Sequence, residues 1–380
     1  MKTAILTLPL HTNYGGILQA FALKTLVEGL GHSAVVLDRK EKKPSPSGLK
    51  APMIYAKRMV QRYLLGKKTV EVFSERRFRR EYPYVSSLVR PFVESYVAPR
   101  MIGDYSEISG NEYDAFIVGS DQVWRPRYFG HIEDAFLAFA ASWDVKRIAY
   151  AASFGTEELE YEYMQLESCS ALLADFDAVS VRETSAVKMC DEWFDCDSAV
   201  HVLDPVMMLP KGTYSRIASS ASRRDCRGKI LNYVLDGTAS KSYILELISR
   251  RLGKEVHDAS VSPYEASVPL EKRVVPPMEE WLACFEDADF VVTDSFHGCV
   301  LSILFHKPFV AVANTSRGVA RMDSLMSMFG LDERLVAGLD PEDDGEIFLK
   351  EIDWERVDAE LERRRADSLE FLKKSLTGTR

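Results

Sequence analysis

The chain has 380 residues, of which 46% are hydrophobic and 28% charged, as in ordinary soluble globular proteins. Because a single hydrophobic core usually stops growing at ~250–300 residues, two domains are expected. The net charge of −9, from 48 basic and 57 acidic residues, argues against a general role in nucleic-acid binding, which usually requires a basic surface.

The N-terminal apolar run is short and breaks at Pro9, so it predicts a first strand and not a signal peptide. No apolar stretch reaches the ~20 residues of a membrane-spanning helix. The six cysteines are irregularly spaced without a Cys-x-x-Cys pair, and the carboxylates show no metal-ligand spacing, so no metal site is predicted. Reduced thiols in a cytoplasmic protein are expected.

Strand-like runs alternate with helical patterns along the chain, which predicts a parallel α/β architecture. In the first half, strands are predicted at 3–8, 34–37, 115–118, 147–151, 178–181 and 200–203, and helices at 16–30, 157–174 and 184–194. The interval of about 40–110 is irregular, basic and interrupted by prolines, so it is predicted to be an insertion of helices and loops.

Within this insertion, nine basic residues stand against Glu71 and Glu75; they are Lys57, Arg58, Arg62, Lys67, Lys68, Arg76, Arg77, Arg79 and Arg80. Charge runs of this kind are usually solvated helix faces. The alternative is a surface that receives an anionic glycan or a membrane-bound acceptor.

A polar stretch at 211–227 separates the first series of elements from a second, and the domain boundary is predicted between 206 and 227. Strands are predicted at 229–235, 254–258, 290–293 and 309–313, and helices at 239–252, 278–287, 297–306 and 320–329. Apolar residues at helical spacing from Trp354 to Leu376 predict a long amphipathic helix. The chain is therefore predicted to form one Rossmann-like domain at 1–206 and a second at 207–380.

Ligands of open α/β sheets bind beyond the carboxyl ends of the strands, where loops converge on helix N-termini. Polar and small residues follow several strands of the first half and are the candidate substrate-binding residues: Asn13, Tyr14, Gly15, Gly16, Gly119, Ser120, Asp121, Gln122, Trp124 and Ser153. The glycine loop also suits an ordinary tight turn.

Arg182 directly follows the fifth strand, and its planar guanidinium suits a phosphate or carboxylate. The alternative is a surface pair between Arg182 and Glu183. Arg317 and Arg321 follow a strand of the second half. Together with Arg182 they are predicted to hold a small dianion across an interdomain cleft.

The segment Thr293-Asp294-Ser295-Phe296-His297-Gly298 joins a buried strand to an apolar helix. Ser295 is a predicted N-cap, and His297 falls in the first turn, where the helix dipole lowers the pKa of an imidazole. A neutral imidazole can act as a general base. His297 is therefore the predicted catalytic residue, with Asp294 orienting its ring.

The chain lacks a nucleophile elbow, a P-loop and a complete Gly-x-Gly-x-x-Gly motif, which weighs against hydrolase, P-loop kinase and dehydrogenase functions. Its motifs resemble those of the polysaccharide pyruvyl transferase family, in order and over nearly the whole chain: Asn13-Tyr14-Gly15-Gly16 with Gln19, the segments 118–124 and 180–183, Asp204-Pro205, and 293–298.

The resemblance implies a GT-B-like fold, with two Rossmann-like domains facing a cleft. It implies transfer of a pyruvyl group from phosphoenolpyruvate to a sugar diol of a cell-surface or exported glycan, forming a pyruvate ketal and needing no cofactor. His297 would be essential and Arg182 would bind the donor. A glycan or lipid-linked oligosaccharide acceptor would place the protein in the cytoplasm, peripherally at the inner face of the membrane.

One position departs from the family pattern. Several members have Arg-Leu-His where this chain has Ser295-Phe296-His297. Either Arg317 or Arg321 replaces the missing cation at the donor site, where Ser295 also lies, or the donor differs. A GT-B glycosyltransferase that uses a nucleotide sugar and a non-catalytic glycan-binding protein remain the alternatives, and the oligomeric state is not predicted.

Overall fold

The structure, a computed structural model, describes residues 1–39, 51–67, 70–314, 318–338 and 345–378. In this part of the chain the strands are β1 (Lys2–Leu6), β2 (Ser33–Arg39), β3 (Arg100–Ile102), β4 (Ala115–Val118), β5 (Lys146–Ala152), β6 (Ala178–Val181), β7 (Val200–His201), β8 (Ile230–Tyr233), β9 (Val256–Asp258), β10 (Phe290–Thr293), β11 (Phe309–Val312) and β12 (Leu335–Val336).

The strands form two parallel sheets, which confirms the predicted α/β class. The first has seven strands in the order β3-β2-β1-β4-β5-β6-β7, and the second has five in the order β12-β11-β10-β8-β9. In each sheet the chain order reverses once, between β1 and β4 in the first and between β8 and β10 in the second. Such reversal points open a crevice at the carboxyl edge of a sheet.

The helices of the described residues are α1 (Tyr14–Gly29), α2 (Ala51–Met59), α3 (Ser74–Val85), α4 (Arg90–Phe92), α5 (Tyr163–Leu173), α6 (Thr184–Phe194), α7 (Pro205–Met208), α8 (Lys211–Ala218), α9 (Ala239–Leu252), α10 (Met278–Asp287), α11 (Phe296–Leu304), α12 (Ala320–Phe329), α13 (Glu346–Leu349) and α14 (Trp354–Thr377). Turns of π-helix continue α2 over Val60–Leu64 and α4 over Val93–Val97. None of the helices described combines the length and apolar character needed to cross a membrane.

Three elements differ from the sequence-based expectations. Residues 40–50 and 68–69 of the insertion, with Lys68, lie outside the described residues. The described part is helical as predicted, but near its end it contains β3, an edge strand that pairs with β2 and is too short to show alternation. The supposed polar linker contains α8, which buries Tyr214, Ile217 and Ala218. The helix predicted from 157 begins at Tyr163, because Glu162 and Gln165 form a capping box there.

The two sheets share one apolar cluster, which runs from α1 through α7 to α10 and α11. Tyr14 of α1 stacks on Trp281 of α10 at 4.6 Å, and its hydroxyl donates to the Pro276 carbonyl at 2.7 Å. Burying large aromatic surfaces in this way stabilises an interface. The two Rossmann-like units are therefore packed together along the N-terminal half of α1.

The C-terminal helix α14 packs on both units. His306 of the second unit pairs with Asp358 near the start of α14. Farther along, the Ser368 hydroxyl accepts from the Leu203 amide at 3.0 Å, and Arg365 donates to the Met207 and Leu209 carbonyls. The predicted boundary at 206 stays a prediction, and residues assigned to the second domain reach back to the first.

The thiols were expected to be reduced, but the structure joins Cys226 to Cys284 in a disulfide. The four other cysteines are free and buried. Cys226 precedes β8 and Cys284 lies in α10, 58 residues apart. A separation of that length gives no signal in the sequence, because the pairing depends on how α10 packs against the start of the second sheet.

Candidate active site

The candidate site lies where the reversal points of the two sheets meet. The loop after β1 leads into Gly15 in the first turn of α1, the loop after β4 carries Ser120 and Asp121, and the loop after β10 leads into His297. The first turns of α1 and α11 thus face each other across the junction. Helix N-termini present unpaired N–H groups and a partial positive charge, so two of them together favour an anionic ligand.

The start of α11 is built as its sequence predicted. The Ser295 hydroxyl caps the helix by accepting from the Gly298 amide, and the Ser295 amide donates to the Thr293 hydroxyl. A Cβ on Gly298 would lie 2.2 Å from that hydroxyl oxygen, so only glycine fits there. These contacts fix His297 in the first turn. The predicted donor-binding Ser295 is thus engaged in capping.

The imidazole of His297 is buried, with 6% of the residue exposed. Burial lowers its pKa to about 4, assisted by the charges of Arg182 and Arg321, while Asp204 and Asp121 act in the opposite direction. Among the described residues, no hydrogen-bond partner reaches its Nε2. His297 therefore offers a neutral imidazole near pH 7, with one ring nitrogen left for a ligand.

Gly15 forms the wall opposite the imidazole. A Cβ on Gly15 would lie 2.1 Å from Nδ1 of His297, so the backbone of α1 lies directly against the ring. Gly16, one residue on, lies beside Asp121, whose carboxylate oxygen would be 3.3 Å from an added Cβ. The two glycines of the predicted motif allow α1 to approach both the histidine and the β4 loop.

Asp204 is the carboxylate next to the histidine. Its Oδ2 lies 3.8 Å from His297 Nε2 and accepts from Arg182 at 2.8 Å and from the Ser120 hydroxyl at 2.8 Å. Its Oδ1 accepts from the Val206 amide and so caps α7. Although burial alone would raise the pKa of Asp204, His297, Arg182 and these hydrogen bonds hold it below the usual value.

Sequence reasoning assigned the orienting role to Asp294, but the structure places this residue elsewhere. Its carboxylate accepts from the amides of Leu235 and Asp236, and from Lys241 and Asn314 at 2.7 and 2.8 Å. It therefore ties the β8 and β11 loops of the second sheet together. From the sequence, Asp204 was noted only as part of the Asp204-Pro205 motif. Its proximity to His297 was not predicted, because its partners are distant in the chain.

Arg182 is buried at the centre of the site and is not the surface pair considered from sequence. Besides Asp204, it donates to the Ser120 hydroxyl at 3.2 Å and lies 3.7 Å from Asp121. Its guanidinium stacks over the Phe296 ring at 4.5 Å. Burial would lower its pKa, but Asp204, Asp121 and Glu183 raise it overall. Its Nε and second terminal nitrogen find no hydrogen-bond acceptor among the described residues.

Arg321, from α12, approaches the same ring from the second unit, with its guanidinium 5.8 Å from the Phe296 centroid. Burial, together with the nearby charge of Arg182, lowers the pKa of Arg321 to about 10. The structure thus brings two arginines and His297 together around Phe296, as predicted for Arg182 and Arg321. Arg317 lies outside the described residues.

Other predicted residues support the site without facing His297. Ser153 donates to the buried Glu183 carboxylate, which also accepts from the Phe154 and Gly155 amides. Gln122 accepts from Arg125. Trp124 is fully buried in the core and donates to the Ala135 carbonyl.

The remaining predicted residues belong to α1 and its surroundings. Tyr14 is part of the interface with Trp281, and Asn13 occupies the N-cap of α1 without a side-chain capping bond. Gly119 packs against Leu23 and Ile5, where a Cβ would lie 3.1 Å from the leucine. Sequence position alone therefore did not separate residues that face the junction from those that support it.

The backbone around the site departs from ordinary conformations. Asp121 and Ala151 have φ values of +82° and +52°, which cost energy for residues other than glycine and often occur at functional sites. Gly318 has φ +89°, and a Cβ there would lie 1.5 Å from the Gly155 carbonyl oxygen. Gly318 is therefore in close backbone contact with Gly155 of the β5 loop.

A groove of about 610 Å³ adjoins the loop after β1. Its lining includes His11, Asp38 and Arg90, with Phe78 and Tyr82 of α3 stacked on each other at 5.1 Å. A volume of this size is typical of ligand sites. Since His11 lies four residues before Gly15, the groove adjoins the loop that leads into the first turn of α1, where Gly15 lies against His297.

Among the described residues, one group has metal-ligand proximity: atoms of Cys226, His257 and Cys284 lie within 4.8 Å of one another. In the structure both sulfurs belong to the disulfide, so they offer no thiolates. Two members of the group, His257 and Cys284, line a cavity of about 200 Å³ together with Tyr14 and Trp281, and this cavity is not lined by His297.

Two solved structures show the fold. A UDP-GlcNAc 2-epimerase from Neisseria meningitidis bound to UDP-GlcNAc is 10% identical, with a TM-score of 0.50 and 100% of both chains covered. A protein from Listeria monocytogenes described as a UDP-N-acetylglucosamine 2-epimerase is 10% identical, with a TM-score of 0.51, covering 100% of this chain and 97% of that one. These likenesses confirm the GT-B-like arrangement of two Rossmann-like units.

No curated protein sequence matches the chain. The family model described as polysaccharide pyruvyl transferase matches residues 13–316, which include α1, β4, the reversal point of the second sheet, Arg182, Asp204 and His297. The chain therefore belongs to the polysaccharide pyruvyl transferase family.

Proposed function

We propose that the chain transfers the pyruvyl group of phosphoenolpyruvate to two hydroxyls of a sugar, forming a pyruvate ketal and releasing phosphate. Family membership supports a transferase and favours this donor over a nucleotide sugar. The observation that carries the proposal is the buried group of His297, Arg182 and Arg321 around Phe296, between the N-termini of α1 and α11. This arrangement suits a small donor that carries both phosphate and carboxylate.

Arg182 is the main donor-binding residue in this proposal. Asp204 and Ser120 occupy one terminal nitrogen, which fixes the plane of the guanidinium. Its Nε and other terminal nitrogen lack hydrogen-bond acceptors among the described residues and form the edge that binds a carboxylate or phosphate with two parallel bonds.

Arg321 supplies the second cation. The departure at Ser295 removed an arginine found in several relatives, and Arg321 brings positive charge to Phe296, the residue next to it. Because burial and the charge of Arg182 lower the pKa of Arg321, an anion bound between the two arginines would relieve the repulsion that Arg321 experiences. The chain thereby retains two cations for the donor.

The proposed reaction balances with one proton carrier. The first acceptor hydroxyl bonds to C2 of phosphoenolpyruvate, its proton leaves, and C3 gains a proton to become a methyl group. The second hydroxyl then bonds to C2 as the C2–oxygen bond to phosphate breaks, and its proton leaves with the phosphate. Neutral His297 accepts a proton through Nε2, and Asp204, 3.8 Å away, stabilises the imidazolium until it is passed on.

The groove beside the β1 loop is the proposed acceptor site. Sugar rings pack their C–H faces on aromatic side chains, which Phe78 and Tyr82 provide, while Asp38 and Arg90 offer hydrogen bonds to hydroxyls. The groove adjoins the loop that leads to Gly15, which lies against His297. Since phosphoenolpyruvate is a product of central metabolism, the proposal places the protein in the cytoplasm, where it modifies a cell-envelope glycan or its lipid-linked precursor.

Incubation with phosphoenolpyruvate and sugars that carry free diols tests the proposal. Phosphate release and a ketal methyl signal by NMR are expected, and both should fall by about 10²–10⁴-fold in His297→Ala. His131→Ala, at an exposed position, is the matched control. Full activity of His297→Ala rejects the mechanism. Thermal stabilisation by nucleotide sugars and not by phosphoenolpyruvate rejects the donor.

A further inference from the structure

An ordinary amphipathic helix buries its apolar side chains, whereas α2 and its π-helical continuation leave theirs exposed. No residue of either segment is buried. Large apolar side chains instead point away from the protein, and the most exposed are Met53 at 69%, Leu65 at 62%, Tyr63 at 74% and Leu64 at 78%. Contiguous exposed apolar surface of this kind usually marks a binding site.

The opposite side of the segment is held by polar bonds to α3 and to the residues just before it. Arg58 pairs with Glu75 at 2.7 Å and also donates to the Val72 carbonyl, while Arg62 donates to the Val70 carbonyl at 2.9 Å. Tyr55 packs on Phe73, with ring centroids 5.1 Å apart. The segment is therefore fastened by its polar side, and its apolar side is left facing outward.

Exposed basic residues lie on the same segment and at the adjoining start of α3. Lys57, Lys67 and Arg76 are exposed, and Arg76 lies over the Phe73 ring at 5.2 Å. This local excess is notable in a chain whose net charge is −9. Exposed apolar side chains accompanied by lysine and arginine are typical of segments that lie in the interface of an anionic bilayer.

We propose that this surface, called here the docking face and defined by Met53, Lys57, Tyr63, Leu64, Leu65 and Lys67, binds the surface of a membrane that contains anionic phospholipid. A second copy of the chain is the less suitable occupant, because a two-fold pairing would bring the lysines of both copies together. The apolar side chains enter the headgroup region, and the basic residues pair with lipid phosphates.

The docking face lies next to the helix that lines the proposed acceptor groove. Its partner helix α3 also supplies Phe78 and Tyr82 to the groove, so docking brings the groove close to the bilayer surface. A lipid-linked acceptor would then be presented beside the β1 loop. Membrane binding itself does not depend on the identity of the donor.

Flotation of the full chain with vesicles tests the proposal. Vesicles of phosphatidylcholine with about one-third phosphatidylglycerol should bind the protein, whereas pure phosphatidylcholine should bind it much more weakly. Leu64→Glu with Leu65→Glu should reduce binding by at least about tenfold, because charge is placed in the apolar contact. Tyr163→Glu with Met164→Glu, at side chains exposed by 78% and 67% on α5, is the matched control and should bind normally.

Lys57→Glu with Lys67→Glu should weaken binding to anionic vesicles by about fivefold for each lost positive charge, and added salt should have a similar effect. Tyr63→Trp should give a blue shift in tryptophan emission on anionic vesicles. Unchanged thermal midpoints exclude unfolding as the cause. The proposal would be overturned if the parent protein did not bind vesicles, or if the Leu64→Glu, Leu65→Glu variant bound them as well as the Tyr163→Glu, Met164→Glu control. It would also be overturned if the parent protein self-associated and the Leu64 and Leu65 variant did not.

The assays also separate this proposal from the proposed function. Turnover of a soluble sugar diol should be unaffected in the docking-face variants. Vesicle binding without pyruvyl transfer would reject the proposed function and leave the docking face intact. Pyruvyl transfer without vesicle binding would reject membrane binding by the docking face and leave the proposed function intact.

Discussion

Replacement of Gly15 by alanine tests the contact between the two units most sharply. In the first turns of a helix, alanine is favoured over glycine by roughly 0.5–1 kcal/mol, so an uncrowded site would gain stability. At Gly15, however, the new Cβ would lie 2.1 Å from Nδ1 of His297, whereas such contacts essentially never fall below 3.0 Å. The imidazole must therefore move by about 1 Å, or α1 and α11 must separate.

A displacement of a catalytic group by about 1 Å typically lowers the rate on the order of 10²-fold. We expect Gly15→Ala to lose about that much kcat/KM in phosphate release from phosphoenolpyruvate, with no gain in thermal stability. Gly29→Ala, at the end of the same helix with nothing within 4 Å, is the matched control and should keep full activity. In NMR titrations, the pKa of His297 should rise in Gly15→Ala as its burial is reduced. Normal activity together with an unchanged His297 titration would refute the placement of α1 against the ring.

Asp204→Asn should lower the free energy of unfolding by about 3–5 kcal/mol in urea titrations, because it leaves Arg182 buried without its closest counter-ion; Ser120→Ala should cost about 1 kcal/mol. Asp204→Asn should also lower the pKa of His297, whereas Asp294→Asn should leave that pKa unchanged; the reverse result would restore the role predicted for Asp294. The pKa of His297 is about 4 when folded against 6.5 for the ordinary side chain. Its contribution to stability is therefore complete above pH 6.5 and is lost as the pH falls toward 4. Over that range His297→Gln should lose less stability than the parent protein, and equal slopes would contradict the burial of a neutral ring.

Local patterns predicted much of the fold. β4, β6, α6, α9, α10, β10 and α12 begin and end where the sequence placed them, because buried parallel strands and capped helices have short-range signals. The Ser295 cap and the position of His297 were found in the same way. β3 and α8 were missed because one is too short to alternate and the other hides three buried residues in a polar stretch.

The partners of the site residues needed the tertiary structure. Asp294 is next to His297 in sequence, yet its carboxylate bonds to Lys241 and to the β8 loop. Asp204 comes 93 residues before His297 in the numbering of the chain and still lies 3.8 Å from its Nε2. Tyr14, predicted to bind substrate, stacks on Trp281. Residue type and strand ends thus located the region, but packing decided which side chains face each other.

A crystal structure with phosphoenolpyruvate soaked into the protein tests the central claim most directly. The account predicts that the donor's phosphate and carboxylate lie within ~2.7–3.2 Å of the guanidinium nitrogens of Arg182 and Arg321, with C2 or C3 beside Nε2 of His297. Phosphoenolpyruvate bound away from Phe296, or a nucleotide sugar occupying that position in its place, would contradict it.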